Sequence, residues 1–182
     1  DVCSSDLFLL ANPWSEKEAL DLDPCTVAVE YKWDGIRAQL IKTHETIRLW
    51  SRGDQDITEQ FPDIVETATT LPSQIILDGE ILAGTPEQLQ TFNELQTRLN
   101  RKRITQNLLK TNPAFFKAYD LLRLDGEDMR DKPLIVRKDA LGKIDVIQSQ
   151  VVYPRSKEDI QAMRQKARAA GAEGVMIKHQ HR

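Results

Sequence analysis

The alternation of apolar and polar side chains predicts mainly β-strands along this chain. A strand with one buried face shows this period of two, because successive side chains point to opposite faces. The segments Thr26–Lys32 and Ile36–Thr43 flank the turn pair Asp34-Gly35, which predicts a hairpin between them. Further strands are predicted at Thr46–Ser51, Gln74–Leu82, Ala114–Leu122, Gln150–Tyr153 and Glu173–Lys178.

Helices are predicted where apolar residues recur every three or four positions behind a helix-start signal. One such segment is Pro62–Thr70, with proline in its first turn. Thr85 is the predicted N-cap of a second helix, which should run to about Leu99. Strands and helices alternate without an internal repeat, so we expect an α+β fold of mixed, largely antiparallel sheets flanked by helices. Two more helices are predicted, over Pro133–Ile144 and from the capping box at Ser156 to a C-terminal cap at Gly171.

The composition is that of one globular domain that carries no obvious metal centre. The chain has 182 residues, of which 40% are hydrophobic and 29% charged. A net charge of −3 argues against a protein that coats nucleic acid, although local basic patches can still bind phosphates. The two cysteines form neither a metal spacing nor a disulfide framework, which is typical of a reducing compartment. No apolar run approaches the roughly 20 residues of a membrane-spanning helix, so we expect no membrane association.

The stretch Glu30–Arg37 places charges between two predicted buried strands, and burying charge is costly unless it is paired or used. In an extended chain Glu30, Lys32 and Asp34 project to one side. A lysine beside a glycine turn can approach a phosphate and attack it once it has lost its proton. Its pKa of about 10.4 must then fall, as burial or nearby cations make it do. The alternative is a surface strand with ordinary ion pairs.

A second apolar strand is interrupted by acids, at Asp78-Gly79-Glu80. Both carboxylates share one face, so each must either pair with a cation or serve a ligand. In the last predicted strand, Glu173 and Met176 can reach the same cleft only if strict alternation breaks, and we expect a bulge at Gly174.

A basic cluster ends the predicted second helix. Such a cluster is usually a solvated helix terminus favoured by the helix dipole, but on a nucleic-acid enzyme it contacts phosphates. Its members are Arg98, Arg101, Lys102 and Arg103.

Taken together, these segments resemble the adenylation domain of ATP-dependent DNA ligases, within the covalent nucleotidyltransferases that include RNA ligases and mRNA capping enzymes. The resemblance spans about Thr26 to Lys178, and five motifs occur in the family's order. The amino-acid sequence of the motif Phe116–Leu122, and of Leu124–Glu127 after it, looks most like that of bacterial ligases. The motifs are Lys32–Arg37, Arg52-Gly53, Asp78–Glu80, Phe116–Leu122 and Glu173–Lys178.

The resemblance implies an ATP-grasp-like covalent nucleotidyltransferase domain that uses ATP and Mg²⁺ or Mn²⁺. Lys32 attacks the α-phosphate of ATP and becomes a lysine-AMP, and the AMP passes to the 5′-phosphate of nicked double-stranded DNA before the strand is sealed. Such an enzyme works in DNA repair, replication or recombination. It would be monomeric and would lie in the bacterial cytoplasm. Protein partners are not indicated.

The resemblance also assigns roles to single residues. Lys32 is the nucleophile and Asp34 orients it, while Glu80 and Glu173 bind the metal. Lys178 and the basic cluster are weaker candidates for contacts with the DNA backbone. The residues expected to bind ATP are Lys32 itself, Glu30 at the adenine amino group, Tyr119 and Met176 on the two faces of adenine, and Arg37, Arg52 and Glu80 around ribose and phosphates.

We expect the chain to be a fragment of a longer protein. Asp1–Leu7 reads as a non-native lead, and residues 8–182 are then an adenylation domain cut at its C-terminal end. A lysine-rich strand that the family has after Lys178 falls outside the sequence, as do an OB-fold and an N-terminal DNA-binding domain. Weak ATP binding, poor self-adenylation and no nick sealing are expected of such a fragment.

Two other functions remain open from the sequence. One is an RNA ligase or a capping-type guanylyltransferase of the same superfamily, which substrate tests with nicked RNA or GTP would separate. The other is a non-catalytic module that binds nucleotide or DNA and retains only the fold. The presence of Lys32 and of both metal-binding glutamates favours an enzyme over the second alternative.

Overall fold

The strands form two antiparallel sheets in the computed structural model of the chain, which describes residues 11–15, 18 and 21–181. The predicted lead segment Asp1–Leu7 lies outside the described residues. The strands are β1 Val27–Trp33, β2 Ile36–Lys42, β3 Ile47–Ser51, β4 Ile75–Ala83, β5 Ala114–Leu124, β6 Glu127–Asp128, β7 Val151–Val152 and β8 Ala172–His179. The helices are α1 Pro62–Ala68, α2 Phe92–Leu99, α3 Gln106–Thr111, α4 Leu134–Leu141 and α5 Lys157–Lys166.

The larger sheet has the strand order β3-β2-β4-β5-β6 and the smaller one the order β7-β1-β8. All of these neighbouring strands are antiparallel, which confirms the predicted α+β class. The predicted hairpin at Asp34-Gly35 is wrong, because β1 and β2 belong to different sheets. The chain instead passes from the smaller sheet to the larger one at this point.

Gly35 makes the passage between the sheets possible. A Cβ atom on Gly35 would lie 2.2 Å from the carbonyl oxygen of Ile81 and 2.8 Å from Cγ of Glu80, both on β4. The backbone therefore runs directly against β4, at a distance that a larger residue does not allow. A turn pair that usually closes a hairpin serves here as a crossing.

Each sheet has its own apolar core. One face of the larger sheet packs on α1 and α2 around Phe61, Ile64 and Leu95, with Leu40 and Leu77 contributed by the strands. The smaller sheet packs Val27 and Val29 against Met163 of α5. Since side chains alternate along a strand, Glu30 and Lys32 lie on the face of β1 opposite the one that carries Val27 and Val29.

The helix predicted from Thr85 begins later, at Phe92, with Thr91 as N-cap. Thr85 and Gln88 close a turn instead, since the Gln88 N–H donates to the Thr85 carbonyl at 3.1 Å and the Thr85 N–H to the Gln88 carbonyl at 3.0 Å. The turn is held because Gln90 donates to the carbonyl of Ala83 at the end of β4. Sheet pairing thus competes successfully with the local helix signal.

The other predicted helices are present with shifted ends. Helix α5 begins with the predicted capping box, in which the Ser156 side chain accepts from the Asp159 N–H and the Asp159 side chain accepts from the Ser156 N–H. The helix ends before Gly171, which has a left-handed backbone conformation. Helix α3 and the short strand β6 were not predicted. Within the described part of the chain, no helix is long and apolar enough to cross a membrane.

Candidate active site

A cavity of about 370 Å³ lies where β1 passes into β2. The end of β1, the turn after β3, the middle of β4 and the start of β8 all contribute to it, although they are far apart in sequence. The first, second, third and last of the five predicted motifs therefore meet at this cavity. The lining residues are Lys32, Trp33, Asp34, Gly35, Ile36, Arg37, Ser51, Arg52, Gly53, Glu80 and Glu173.

Lys32 forms an ion pair with Glu173 in this cavity. Its Nζ lies 2.5 Å from Oε2 of Glu173, and the side chains are 55% and 45% exposed. Asp34, predicted to orient the lysine, is exposed, and the carboxylate that contacts Lys32 is that of Glu173. The correction has a geometric cause, because Asp34 follows the end of β1 and no longer continues its alternation.

A β-bulge brings Glu173 to the lysine, at the place where a bulge was predicted. Lys32 is paired with Gly174, but the next residue, Trp33, is paired with Ala172. Glu173 is therefore the extra residue on β8, and an extra residue locally turns its side chain out of the regular alternation.

The two acids of β4 have different surroundings. Asp78 is buried and accepts hydrogen bonds from Nη2 of Arg37 at 2.7 Å and from Nε at 3.3 Å. Burial raises the pKa of Asp78, and Arg37 opposes that shift. Glu80 lines the cavity, and burial raises its pKa to about 8, with Asp78 and Glu173 adding to the shift and Arg37 and Lys32 opposing it. Asp78 is thus the acid that pairs with a cation, whereas Glu80 faces ligand space.

Glu30 is fully buried, is not among the residues that line the cavity, and forms ion pairs with two lysines. Its Oε1 accepts from Nζ of Lys138 at 2.6 Å, and its Oε2 accepts from Nζ of Lys178 at 2.6 Å. Lys178, predicted to contact DNA, therefore lies at Glu30 and not on an open surface. Burial lowers the pKa of Lys138, although Glu30 opposes that shift.

Lys138 was not identified from the sequence, although a signal was present. On α4 it stands four residues after Leu134 and three before Leu141, and both leucines are buried. A lysine inside the apolar face of a helix must find an acid, because a buried unpaired ammonium is costly.

Tyr119 and Met176, predicted to hold adenine between them, lie on β5 and β8. Burial raises the pKa of Tyr119, and the carboxylate of Asp78 adds to this. Nζ of Lys178 lies 4.8 Å from the centroid of the Tyr119 ring. Met176 is two residues from Lys178 on the same strand, and its register partner is Glu30. Met176 therefore shares a face of β8 with a residue that contacts Tyr119.

Arg98 is the clear error among the predicted DNA contacts. It is completely buried, and its guanidinium donates to Asp63 Oδ1 at 2.6 Å, to Asp63 Oδ2 at 2.7 Å and to the Gln60 carbonyl. An arginine engaged in this way holds α2 against α1 and cannot reach a phosphate backbone. Arg101, Lys102 and Arg103 are exposed beyond the end of α2, and their role stays a prediction.

The donor atoms in the cavity suit a divalent cation shared with phosphates. Glu80 and Glu173 both line it, and Glu173 contributes to the raised pKa of Glu80, as two neighbouring carboxylates do. Mg²⁺ is commonly bound through one or two carboxylates, with water and substrate phosphates as its other ligands. Among the described residues, no group of three or more His, Cys, Asp or Glu side chains is placed to hold a metal ion.

An amine, three acids and two arginines line one cavity, and such a set of groups suits a nucleotide polyphosphate. The sequence profile of the ATP dependent DNA ligase domain matches residues 9–182. The chain is 37% identical to the DNA ligase of Sulfophobococcus zilligii over 85% of this chain and 27% of that protein. It is 35% identical to the DNA ligase of Natronomonas pharaonis over 94% of this chain and 32% of that protein.

A solved structure agrees with these sequence relatives. The structure of mycobacterial DNA ligase D complexed with ATP and MES matches with a TM-score of 0.66 and 26% identity, over 86% of this chain and 49% of that one. The chain belongs to the family of ATP-dependent DNA ligase domains. It spans about a third or less of the length of the two curated relatives.

Proposed function

We propose that the chain is the catalytic adenylation domain of an ATP-dependent DNA ligase. In this proposal it forms a lysine-AMP from ATP and transfers the AMP to the 5′-phosphate of a nick in double-stranded DNA. The observation that carries the proposal is the exposed amine of Lys32, which lies 2.5 Å from Glu173 in a cavity that also contains Glu80, Arg37 and Arg52. Family membership supports the choice of ATP and DNA over other substrates.

Lys32 is the proposed nucleophile. Once its ammonium has lost a proton to water, Nζ attacks the α-phosphorus of ATP. A P–N bond forms, the P–O bond to the β-phosphate breaks, and pyrophosphate leaves with the electron pair. An oxygen of the DNA 5′-phosphate then displaces the amine, and the 3′-hydroxyl finally displaces AMP to join the strand.

The proposed nucleotide contacts are those that the family resemblance implies. Tyr119 and Met176 are proposed to contact the two faces of adenine, and Glu30 to accept a hydrogen bond from its amino group. The backbone N–H of Arg52 donates to the Arg37 carbonyl at 3.2 Å, and both arginines line the cavity. Their guanidinium groups suit ribose and phosphate oxygens.

Glu173 and Glu80 are the proposed ligands of Mg²⁺ or Mn²⁺. When bound, the ion neutralises charge on the triphosphate as pyrophosphate leaves. Glu173 also pairs with Lys32, so the same carboxylate serves the lysine and the metal site. Asp34, at the rim of the cavity, stays a candidate for orienting groups once nucleotide is bound.

The exposed Arg101, Lys102 and Arg103 are proposed to contact the DNA backbone. We further propose that the protein acts as a monomer in the bacterial cytoplasm, in DNA repair, replication or recombination. The bacterial assignment depends on the amino-acid sequence of Phe116–Glu127. The two sequence relatives described above come from Sulfophobococcus zilligii and Natronomonas pharaonis.

The test is intact mass spectrometry after incubation with ATP and Mg²⁺, beside a Lys32→Ala control. Because poor self-adenylation is expected of the isolated chain, we expect an AMP adduct at low yield on the wild type and none on the control. The same measurement is made on a chimera in which the chain replaces the matching segment of the Sulfophobococcus ligase. Absence of the adduct from both proteins would overturn the proposal.

Substrate preference distinguishes a DNA ligase from the other enzymes of the superfamily. Parallel incubations with GTP, and sealing by the chimera of nicked DNA against nicked RNA, separate a DNA ligase from a guanylyltransferase and an RNA ligase. We expect ATP and nicked DNA to be preferred.

A further inference from the structure

Lys138 connects the two sheets at the place proposed to recognise the nucleotide base. Its Nζ donates to Oε1 of Glu30 on β1, in the smaller sheet, at 2.6 Å. The same Nζ contacts the main-chain oxygen of Tyr119 on β5, in the larger sheet. The side chain of Lys138 is 5% exposed, so water does not compete for these bonds.

The helix that carries Lys138 is itself fixed to β5. The neighbouring residue, Arg137, donates from Nε to Asp120 Oδ1 at 2.8 Å and from Nη2 to Asp120 Oδ2 at 3.0 Å. Arg137 also donates to the Lys132 carbonyl. A bidentate arginine–carboxylate contact restricts geometry strongly. The position of Lys138 Nζ is therefore set by the larger sheet, while the carboxylate it orients belongs to the smaller one.

Glu30 needs such an anchor because a second cation contacts it. Lys178 pairs with Oε2 at 2.6 Å and lies above the ring of Tyr119. Without Lys138 the carboxylate would retain only this partner and would turn toward it. Each carboxylate oxygen has two acceptor positions, so with one lysine bound at each oxygen Glu30 still has one free acceptor position on each.

We propose that Lys138 is a positioning residue for base selection, which holds the carboxylate of Glu30 and the backbone of Tyr119 in the arrangement that accepts the 6-amino group of adenine. This inference rests on the proposed function. Adenine offers a donor at position 6, whereas guanine has an acceptor oxygen there that a carboxylate repels. Lys138 acts through Glu30 and Tyr119 and touches neither the phosphates nor Lys32.

The test compares AMP with purine riboside 5′-monophosphate, which lacks the 6-amino group and is otherwise identical. NMR chemical-shift titration of the 182-residue chain measures both affinities without metal or reaction, and the spectrum reports folding. A hydrogen bond to a charged group corresponds to about a tenfold preference for AMP in the wild type. Lys138→Met should remove that preference mainly by weakening AMP binding.

The matched control is Lys143→Met, which removes an exposed lysine just after the same helix and should keep the preference. Lys138→Arg, which retains the donors, should keep most of it. If Lys138→Met does not fold, Lys138→Gln is measured in its place. A folded variant without the amine that still prefers AMP overturns the inference.

A wild type that binds both nucleotides equally also overturns the inference. The proposed function is judged separately, by the AMP adduct on Lys32. A normal adduct together with an unchanged preference in Lys138→Met leaves the ligase assignment standing and removes only the role of Lys138.

Discussion

The ion pairs packed in the core of the larger sheet differ from the ion pair at the end of β1 in the smaller sheet. In the larger sheet and its helices, Arg37 pairs with the buried Asp78 and the buried Arg98 pairs with Asp63. At the end of β1 in the smaller sheet, Lys32 and Glu173 form a pair that is about half exposed. Buried pairs are costly to break, whereas exposed pairs contribute little to stability.

The comparison separates stability from chemistry. The larger sheet packs an extensive core against α1 and α2, while the smaller one has only a small cluster around Val27, Val29 and Met163. The proposed nucleophile lies near the end of β1, the central strand of the sheet with the smaller apolar core, and its side chain is exposed enough for a ligand to reach it. Substitutions of buried residues in the larger sheet and its helices should lower stability, and substitutions at the exposed pair Lys32–Glu173 should alter reactivity alone.

The largest effect is expected from Lys32→Ala. It should abolish the AMP adduct while changing the free energy of unfolding by no more than about 0.5 kcal/mol, since an exposed side chain is lost. Mass spectrometry and urea denaturation measure the two quantities on the same sample. A large loss of stability would show that the exposed pair supports the fold and would break the comparison.

Arg98→Met tests the opposite unit. Removing a buried cation leaves Asp63 without its partner and should destabilise the domain by about 3 kcal/mol. Arg101→Met, at an exposed arginine of the same cluster, is the control and should change stability by less than about 0.5 kcal/mol. Urea denaturation curves of both variants decide, and equal stability would contradict a structural role for Arg98.

Gly35→Ala tests the passage between the sheets. The added methyl group meets the Ile81 carbonyl at 2.2 Å, so we expect a loss of about 2 kcal/mol from overpacking. At Gly53, a Cβ has no neighbour within 4 Å, and Gly53→Ala should be nearly neutral. Thermal denaturation of the pair measures the difference. Similar melting temperatures would mean that β4 can move away.

The smallest effect is expected at an exposed pair on the edge of the larger sheet. The Arg130 guanidinium lowers the pKa of Asp128 to about 2. Because the folded pKa is below the ordinary value of 3.8, the contribution of this pair to stability is complete above pH 3.8 and is lost as the pH falls toward 2. An NMR titration of Asp128 should show the low midpoint, and Arg130→Gln should return it toward 3.8.

The stability of Arg130→Gln should equal that of the wild type at neutral pH, because both side chains are largely exposed. A clear loss of stability in Arg130→Gln would mean that an exposed pair stabilises the fold as the buried Arg98 does. The distinction between buried and exposed pairs would then be wrong.

Much of the candidate site was predictable because its residues sit in short motifs. Short sequence motifs identified each of four residues that the structure brings to one cavity, namely Lys32, Arg52, Glu80 and Glu173. Alternation also predicted that Asp78 and Glu80 share a face of β4. It did not predict which acid pairs with Arg37, because that depends on the register of β2 against β4.

The errors concern contacts between distant segments. Arg98 was assigned to an exposed cluster, but the register of α2 against α1 buries it beside Asp63. Helix α2 was started too early because the pairing of Gln90 with Ala83 is invisible in a local window. Lys138 was missed for the same reason, since its acid, Glu30, lies more than a hundred positions away.

The sequence by itself determined where most strands and helices lie, which face most strand side chains take, and which residues carry the motifs of a nucleotidyl-lysine chemistry. These are short-range properties, set by side-chain periodicity and by the residues next to one another. The tertiary structure alone decided that the chain changes sheets at Gly35, that Glu173 reaches Lys32 through a bulge, and that Lys138 joins the two sheets at Glu30. Periodicity states which face is buried but not which partner buries it, because that choice is made by packing the whole chain at once.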